Sequence, residues 1–267
     1  MKFENSARNL KKIKESKLFV LDMDGTIYLG KNVIDGAREF CEKVLSSGRK
    51  LMYFTNNASR NPEEYVERLK KMGFPCQREM VVTSGDVTIA YLKKHYPGKS
   101  VYLVGTPALY ESFVSAGIEI SEKSDIVVTS FDLTLTYKKL EKACTLIRGG
   151  AKFFCTHPDI NCPTEDGYIP DSGAICAAIT ASTGVNPRYF GKPYAETVES
   201  IELISGVSRE NAIMVGDRLY TDIALGKNNG MTAILVMSGE TDFTMLENAE
   251  ESQKPDLVFG SVKEIEL

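Results

Sequence analysis

Apolar and polar positions along the chain predict strands and helices in alternation. Leu18–Leu21 is a short apolar run that ends in acidic residues and Gly25, which is typical of a buried strand with polar groups at its carboxyl end. A helix is predicted over residues 35–45, and a second strand over 51–54 leads into Thr55. Such alternation favours a parallel sheet with helices on its faces, where ligands bind outside the carboxyl ends of the strands.

The clearest helix signal begins at Asn61. Asn is a preferred N-cap residue, Pro62 suits the first helical position, two acidic residues follow in the first turn, and Gly73 is a typical stop. We therefore predict a helix that begins at Pro62.

A second alternating set begins near Ser100. It comprises predicted strands over 101–104, 126–129 and 152–155, predicted helices over 108–116, 137–148 and 174–182, and a loop over 157–173. Clusters of Pro and Gly at 96–98 and 183–187 mark its ends, because these residues interrupt regular structure. We therefore predict an α/β cap domain of residues 96–186, inserted into a core domain of residues 1–95 and 187–267.

After the second cluster the pattern of the first domain resumes. Tyr189-Phe190 comes first, and the predicted elements after it are a helix from Pro193, strands over 212–215 and 232–236, a helix after Thr221, and a late strand near Leu257. The fold class is α/β, with a parallel-sheet core.

Composition is ordinary for a soluble globular protein. Of 267 residues, 43% are apolar and 25% charged, and the formal net charge of -4 is spread along the chain. This charge excludes a field that would attract nucleic acid or an anionic membrane. The interrupted basic cluster Lys11, Lys12, Lys14 and Lys17 is interpreted as the solvated face of a helix.

Cysteine usage and the first residues favour a reducing cytoplasm. The six cysteines form no CxxC pair and only two histidines are present, so we expect free thiols and no Cys/His zinc site. Residues 1–5 lack the apolar run of a signal peptide, and no stretch approaches the roughly 20 apolar residues of a membrane span. We expect a cytoplasmic protein.

The first candidate for chemistry is the run Asp22-Met23-Asp24-Gly25-Thr26. Residues two apart on an extended segment point to the same side at about 6 to 7 Å, which leaves room for a phosphorus atom between two carboxyls. Asp22 could attack to form an aspartyl-phosphate, while Asp24 protonates the leaving oxygen and later activates water. Gly25 permits a sharp turn that Thr26 could fix. The alternative is a calcium-type or N-capping acidic turn.

This run matches the first motif of the haloacid dehalogenase (HAD) superfamily of phosphotransferases. The resemblance implies a Rossmann-like core, and further motifs follow in the family's order. Phe54-Thr55-Asn56-Asn57 resembles the second motif, which implies phosphate binding by Thr55 and the backbone N–H of Asn56. Gly191-Lys192-Pro193 resembles the third, which implies that Lys192 offsets charge on the phosphate and on Asp22.

Residues 215–222 resemble the fourth motif, an apolar strand that ends in Gly and carboxylates. The resemblance implies a Mg²⁺ ion held by Asp22, the backbone carbonyl of Asp24, and Asp217. Asp222 would orient the metal's waters or Lys192, or it would simply be an acidic residue in the first turn of a helix.

The long segment between Thr55 and Lys192 resembles the inserted cap of the NagD and para-nitrophenyl phosphatase branch. In that branch the cap shapes the substrate pocket, so we expect selectivity in the loop over 156–163 and nearby. The candidate substrate residues are His157, Asp159, Asn161 and Asp171. His157 stands where the family often has Asn, and it could equally be a loop residue bonded to backbone. Relatives can pair through their caps, which makes a homodimer possible.

The resemblance therefore implies a Mg²⁺-dependent phosphatase. Its substrate would be a small phosphomonoester such as a sugar phosphate, a nucleotide or a similar metabolite. The alternatives are a phosphotransferase or mutase on the same site, a receiver-type signalling module with a stable phosphoaspartate, and a binding protein with vestigial chemistry. The second carboxyl of Asp24 and the large cap favour hydrolysis or transfer over signalling.

Overall fold

The computed structural model describes residues 5–164 and 167–267 and divides into two compact units. The first comprises residues 5–54, 65–82 and 192–267, and the second comprises 55–64 and 83–191. The strands are β1 Leu18–Leu21, β2 Tyr28–Leu29, β3 Asn32–Val33, β4 Lys50–Thr55, β5 Val81–Thr83, β6 Tyr102–Val104, β7 Ile126–Thr129, β8 Lys152–Cys155, β9 Asn161–Thr164, β10 Gly167–Pro170, β11 Arg188–Tyr189, β12 Ala212–Gly216, β13 Thr232–Val236 and β14 Leu257–Phe259.

Helices follow most of these strands, as expected of an α/β protein. They are α1 Ala7–Glu15, α2 Ala37–Ser46, α3 Pro62–Lys71, α4 Ser84–His95, α5 Pro107–Ser115, α6 Tyr137–Arg148, α7 Ser172–Thr183, α8 Ala195–Ser205, α9 Ala224–Asn229 and α10 Phe243–Glu247. The longest have 12 residues, whereas a bilayer span needs about 20. No helix within the described ranges could therefore cross a membrane.

The first unit is built on a six-stranded sheet with the order β14-β13-β12-β1-β4-β5. The central strand β1 pairs in parallel with β12 and with β4, and Leu21 lies opposite Val215 on one side and Tyr53 on the other. All four residues of β1 are fully buried, because both faces of a parallel sheet are covered. This explains the continuous apolar run in its sequence. The register brings the carboxyl ends of β12, β1 and β4 to one edge.

The second unit has its own parallel sheet, with the order β11-β8-β7-β6, and an antiparallel hairpin of β9 and β10. Its core includes Val104, Val127, Phe153 and Ile179. The hairpin lies in the segment predicted as a loop, of which residues 165–166 are outside the described part. The short β11 pairs in parallel with β8. Residues 188–189 therefore join the sheet of the second unit, whereas the core domain was predicted to resume at residue 187.

The boundaries of the two compact units differ from those of the predicted domains. Helix α4, which the sequence analysis did not predict, belongs to the second unit and precedes the boundary expected at residue 96. Residues 55–64 and 187–191 belong to the second unit as well. The role of this unit as a cap stays a prediction.

The predicted start of α3 is confirmed, whereas the predicted start of α8 is not. At α3 the reciprocal cap is present, since Asn61 Oδ1 accepts from Glu64 N at 2.9 Å and Glu64 Oε2 accepts from Asn61 N at 3.0 Å. The helix predicted from Pro193 begins instead at Ala195, and the Lys192–Pro193 peptide bond is cis. All six cysteines are free thiols, as predicted.

Candidate active site

The candidate site lies at the carboxyl edge of the first sheet, where two neighbouring strands end in carboxylates. Asp22 directly follows β1, and its N–H donates to the carbonyl of Val215 at 2.9 Å. Asp217 directly follows β12, so the pairing of β1 with β12 brings together residues that are far apart in sequence. Carboxylate oxygens of Asp22, Asp217 and Asp222 all lie within 4.8 Å of one another.

Lys192 supplies the positive charge at the centre of this cluster. Its side chain is buried, its Nζ donates to Asp22 Oδ1, and it lies 2.6 Å from Asp222 Oδ1. Burial lowers the pKa of Lys192, but the charges of Asp22 and Asp222 outweigh burial and raise it above its ordinary value. Lys192 therefore stays a cation that is held in place by two carboxylates.

The carboxylates carry more negative charge than Lys192 can offset. Burial, together with the negative charge of Asp222, raises the pKa of Asp22 well above its ordinary value, and the attraction of Lys192 opposes this. Burial and the charge of Asp222 likewise raise the pKa of Asp217 to about 7. Three carboxylates face one ammonium group, which leaves an excess of two negative charges when all are ionised. A divalent cation would remove that excess.

The surroundings of Asp217 fit such a cation. Among residues 5–164 and 167–267, its buried Oδ1 has no hydrogen-bond partner, whereas its Oδ2 accepts from Glu240 N at 2.7 Å. A Cβ added at Gly25 or Gly239 would lie 2.3 or 2.0 Å from Asp217 Oδ2, so only glycine fits at either position. The available donors are hard oxygens, which Mg²⁺ prefers. The residues present therefore fit a Mg²⁺ ion.

Asp24 is placed differently from the buried carboxylates. It lies at the exposed start of the β2–β3 hairpin, and its Oδ1 accepts from Gly30 N at 3.5 Å. Partial desolvation raises the pKa of Asp24, and the Gly30 N–H and the charges of Arg68 and Arg218 counteract this in part. A carboxyl that can reach solvent and has a raised pKa can hold and release a proton. The turn itself is tied by backbone, because Thr26 Oγ1 has no hydrogen-bond partner among the described residues. Thr26 contributes to the turn through its backbone N–H, which donates to the carbonyl of Met23 at 3.3 Å.

A single turn with π-helical hydrogen bonds, Leu219–Ile223, brings Asp222 back toward β12. Asp222 Oδ2 accepts from Arg218 N at 3.0 Å, and a Cβ at Gly216 would lie 2.3 Å from Asp222 Cβ. Of the roles predicted for Asp222, orientation of Lys192 is the one that its contacts favour.

Thr55 is the last residue of β4, and Asn56 follows it. Thr55 Oγ1 accepts from Asn57 N at 3.1 Å, and the buried Asn56 side chain lies 3.3 Å from a carboxylate oxygen of Asp159. Assignment of Thr55 and of the Asn56 N–H to phosphate stays a prediction.

Of the substrate candidates of the second unit, His157, Asp159 and Asp171 have polar side-chain atoms within 4.8 Å of one another, but the four candidates differ in burial. His157 is completely buried, and its Nε2 lies 2.9 Å from Asp171 Oδ1, while Asp171 also caps α7 through Ser172 N. Asp159 is half-buried, and Asn161 is exposed at the start of β9. Substrate contact by His157 and Asp171 stays a prediction that their burial disfavours, whereas Asp159 and Asn161 reach the surface.

The segment that follows β13 contributes contacts to the site that were not predicted from the sequence. Ser238 Oγ donates to the Gly25 carbonyl at 2.8 Å, Glu240 N donates to Asp217, and Thr241 Oγ1 donates to the carbonyl of Asp217. The strand over 232–236 was predicted correctly. Because ligands bind outside the carboxyl ends of parallel strands, the residues that follow this strand, 238–241, could have been predicted to lie at the site.

Comparison with known proteins decides the family. A family model described as haloacid dehalogenase-like hydrolase matches residues 19–119, and a second, HAD-hydrolase-like model matches residues 189–265. An acid sugar phosphatase of Staphylococcus aureus is 37% identical over 238 residues, which are 88% of this chain and 92% of that protein. The chain belongs to the haloacid dehalogenase-like hydrolases.

Solved structures place this HAD-like hydrolase in the NagD and para-nitrophenyl phosphatase branch. A 4-nitrophenylphosphatase from Thermotoga maritima is 45% identical, with a TM-score of 0.91 over 95% of this chain and 97% of that one. NagD from Escherichia coli is 28% identical, with a TM-score of 0.88 over 94% and 98% of the two chains. A glycerol phosphate phosphatase from Mycobacterium tuberculosis, solved with magnesium, is 29% identical, with a TM-score of 0.87 over 94% and 77%.

Proposed function

We propose that this HAD-like hydrolase is a Mg²⁺-dependent phosphatase that hydrolyses small phosphomonoesters through a covalent intermediate on Asp22. The chain is a phosphoric monoester hydrolase by its relatives. The observation that carries the mechanism is the cluster at the sheet edge, where Lys192 holds Asp22 and Asp222 beside Asp217.

The first half of the reaction transfers the phosphoryl group to the protein. A carboxylate oxygen of Asp22 attacks phosphorus, and the bond between phosphorus and the ester oxygen breaks. The ester oxygen takes its electron pair and receives a proton from Asp24, so the alcohol leaves neutral. Lys192, fixed by Asp222, holds the attacking carboxylate and attracts the phosphoryl oxygens.

The second half restores Asp22. Asp24, now a carboxylate, takes a proton from water as the water oxygen attacks phosphorus. The bond between phosphorus and Asp22 breaks, and inorganic phosphate leaves. The exposed position of Asp24 suits this exchange with water.

Asp22, Asp217 and the backbone carbonyl of Asp24 are the groups that would hold Mg²⁺. When bound, the ion offsets phosphoryl charge and polarises a phosphoryl oxygen. The partnerless Asp217 Oδ1 and the two glycines against Asp217 Oδ2 support this assignment. The magnesium in the related glycerol phosphate phosphatase supports it as well.

Sugar and polyol phosphates are the proposed substrates. The support is that related proteins are described as an acid sugar phosphatase and a glycerol phosphate phosphatase. Selectivity from Asp159 and Asn161 rests on their surface positions in the second unit. A cytoplasmic location, for which the free thiols are the support, and pairing of two copies through the second unit belong to the same proposal.

The test compares Asp22→Asn with wild-type protein in Mg²⁺. We expect wild-type protein to release phosphate from 4-nitrophenyl phosphate and from glycerol phosphate, and to yield acid-stable protein-bound phosphate after rapid quenching. Asp22→Asn should lose both signals by at least about a thousandfold, because no nucleophile remains. Asp242→Asn, at the N-cap of α10, is the control and should keep both. Turnover by Asp22→Asn at a wild-type rate would refute the mechanism.

A further inference from the structure

The position of Asp24 depends on the β2–β3 hairpin that follows it. Asp24 forms an isolated β-bridge with Tyr28, and Gly25 N donates to the carbonyl of Tyr28 at 2.7 Å. At the other end of β2, Gly30 N lies 3.5 Å from Asp24 Oδ1. The backbone and the carboxyl of Asp24 are therefore both held by this hairpin. The N–H of Asp22, in contrast, donates to Val215 of β12.

Arg68 on α3 holds the same hairpin from outside. Its Nη2 donates to the carbonyl of Gly30 at 2.7 Å, and its guanidinium lies 4.4 Å from the centre of the Tyr28 ring. A planar guanidinium can stack on a ring and donate in its own plane at once, which a lysine ammonium cannot do. One side chain therefore fixes both a strand residue and the turn of the hairpin.

We propose that Arg68 is a positioning residue for the acid–base group Asp24. This role rests on the proposed function, in which Asp24 protonates the leaving oxygen. By holding the Gly30 carbonyl, Arg68 keeps this residue where its N–H meets the Asp24 carboxyl, and it keeps Tyr28 where it pairs with the Asp24 backbone. The side chains of the nucleophile Asp22 and of Asp217 directly follow β1 and β12 and do not depend on this contact. The Asp24 carbonyl, also a proposed Mg²⁺ ligand, belongs to the held backbone, and its displacement would slow both esters alike.

The role predicts a dependence on the leaving group that a general loss of stability would not produce. A 4-nitrophenolate ion is a stable leaving group and needs little protonation, whereas an alkoxide from glycerol phosphate must be protonated as it leaves. The quantity kcat/KM reports the steps up to the first departure of the alcohol. Misplacement of Asp24 should therefore lower kcat/KM for glycerol phosphate far more than for 4-nitrophenyl phosphate.

The experiment measures kcat/KM for both esters in wild-type protein, Arg68→Gln, Arg68→Lys and a control, Arg38→Gln. Arg38 is a matched control because its Nε donates to a backbone carbonyl of the same unit, Met72, at 2.6 Å. We expect Arg68→Gln to lower the ratio of the glycerol phosphate value to the 4-nitrophenyl phosphate value by at least about tenfold. This is less than the roughly 10²–10⁴-fold contribution of an acid–base group, because Asp24 would be displaced and not removed. Arg38→Gln should keep the wild-type ratio.

Arg68→Lys separates position from charge and guards against a misfolded Gln variant. It keeps the cation but loses the stacked donor, so its ratio should fall by several-fold while its thermal unfolding stays close to that of wild type. Equal losses for the two esters, or a wild-type ratio in both Arg68 variants, would overturn the positioning role while the proposed function stands. Wild-type protein without turnover of either ester would overturn both.

Discussion

The buried pair of His157 and Asp171 predicts a pH-dependent stability of the second unit. Burial lowers the pKa of His157, but the charge of Asp171, its hydrogen bond, and the charges of Asp159 and Cys155 outweigh burial and raise the pKa from 6.5 to about 9. A pKa difference of one corresponds to about 1.4 kcal/mol. The protonated pair therefore stabilises the folded unit by about 3 kcal/mol relative to the unfolded chain.

The direction of the effect follows from proton linkage. Because the pKa is higher in the folded state, the folded protein binds this proton more tightly than the unfolded chain does. The stabilisation is fully present below pH 6.5 and is lost as the pH rises through about 9. Replacement of His157 should thus cost more at pH 6 than at pH 10.

The chain offers a matched control, since its second histidine, His95, is exposed at the end of α4. Proton NMR should resolve the two imidazole rings and show His157 titrating near pH 9. Thermal unfolding of wild type, His157→Asn and His95→Asn at pH 6 and pH 10 measures the free energy of unfolding of each protein. The gap in free energy of unfolding between wild type and His157→Asn should narrow by about 3 kcal/mol between these pH values. A ring that titrates near 6.5, or a gap that does not change, would refute the reasoning.

Two further predictions concern the metal site and a helix cap. Gly239→Ala should raise the Mg²⁺ concentration for half-maximal activity by at least about tenfold, because the added Cβ would lie 2.0 Å from Asp217 Oδ2. A Mg²⁺ titration that matches wild type would contradict the assigned role of Asp217. Asn61→Ala should cost about 1 kcal/mol of stability by loss of the cap on Glu64 N, and chemical denaturation without a shift of the midpoint would show that the cap contributes nothing.

Much of the first sheet could be predicted from sequence because its signals are local. The run Leu18–Leu21 is apolar throughout because the strand is buried on both faces. The carboxylates that follow it and those that follow β12 could be paired only through a resemblance to a family. The register of β1 on β12, which brings Asp22 beside the end of that strand, depends on contacts that no local pattern records.

The features that escaped prediction have non-local causes. In the sequence Gly239 looks like an ordinary turn residue. Only the structure shows that Asp217 Oδ2 occupies the space that a Cβ at this position would need. Arg68 lies on a helix with several charged neighbours, and its contact with Gly30 joins elements that are separated in sequence. The hairpin of β9 and β10 has a Pro in each strand, so its composition resembles that of a loop.

The central place of β1 in the sheet also sets an order of assembly during synthesis. The partner strand β4 leaves the ribosome soon after β1, but the other partner, β12, begins only at Ala212. At roughly 5–20 residues per second, about 10 to 40 s separate the emergence of β1 from that of β12. During that interval β1 has one unpaired edge that consists of apolar residues, and such edges readily recruit other strands. A nascent chain that stalls before residue 216 therefore presents a sheet that is open at its middle, and this edge is where chaperones or other nascent chains would bind.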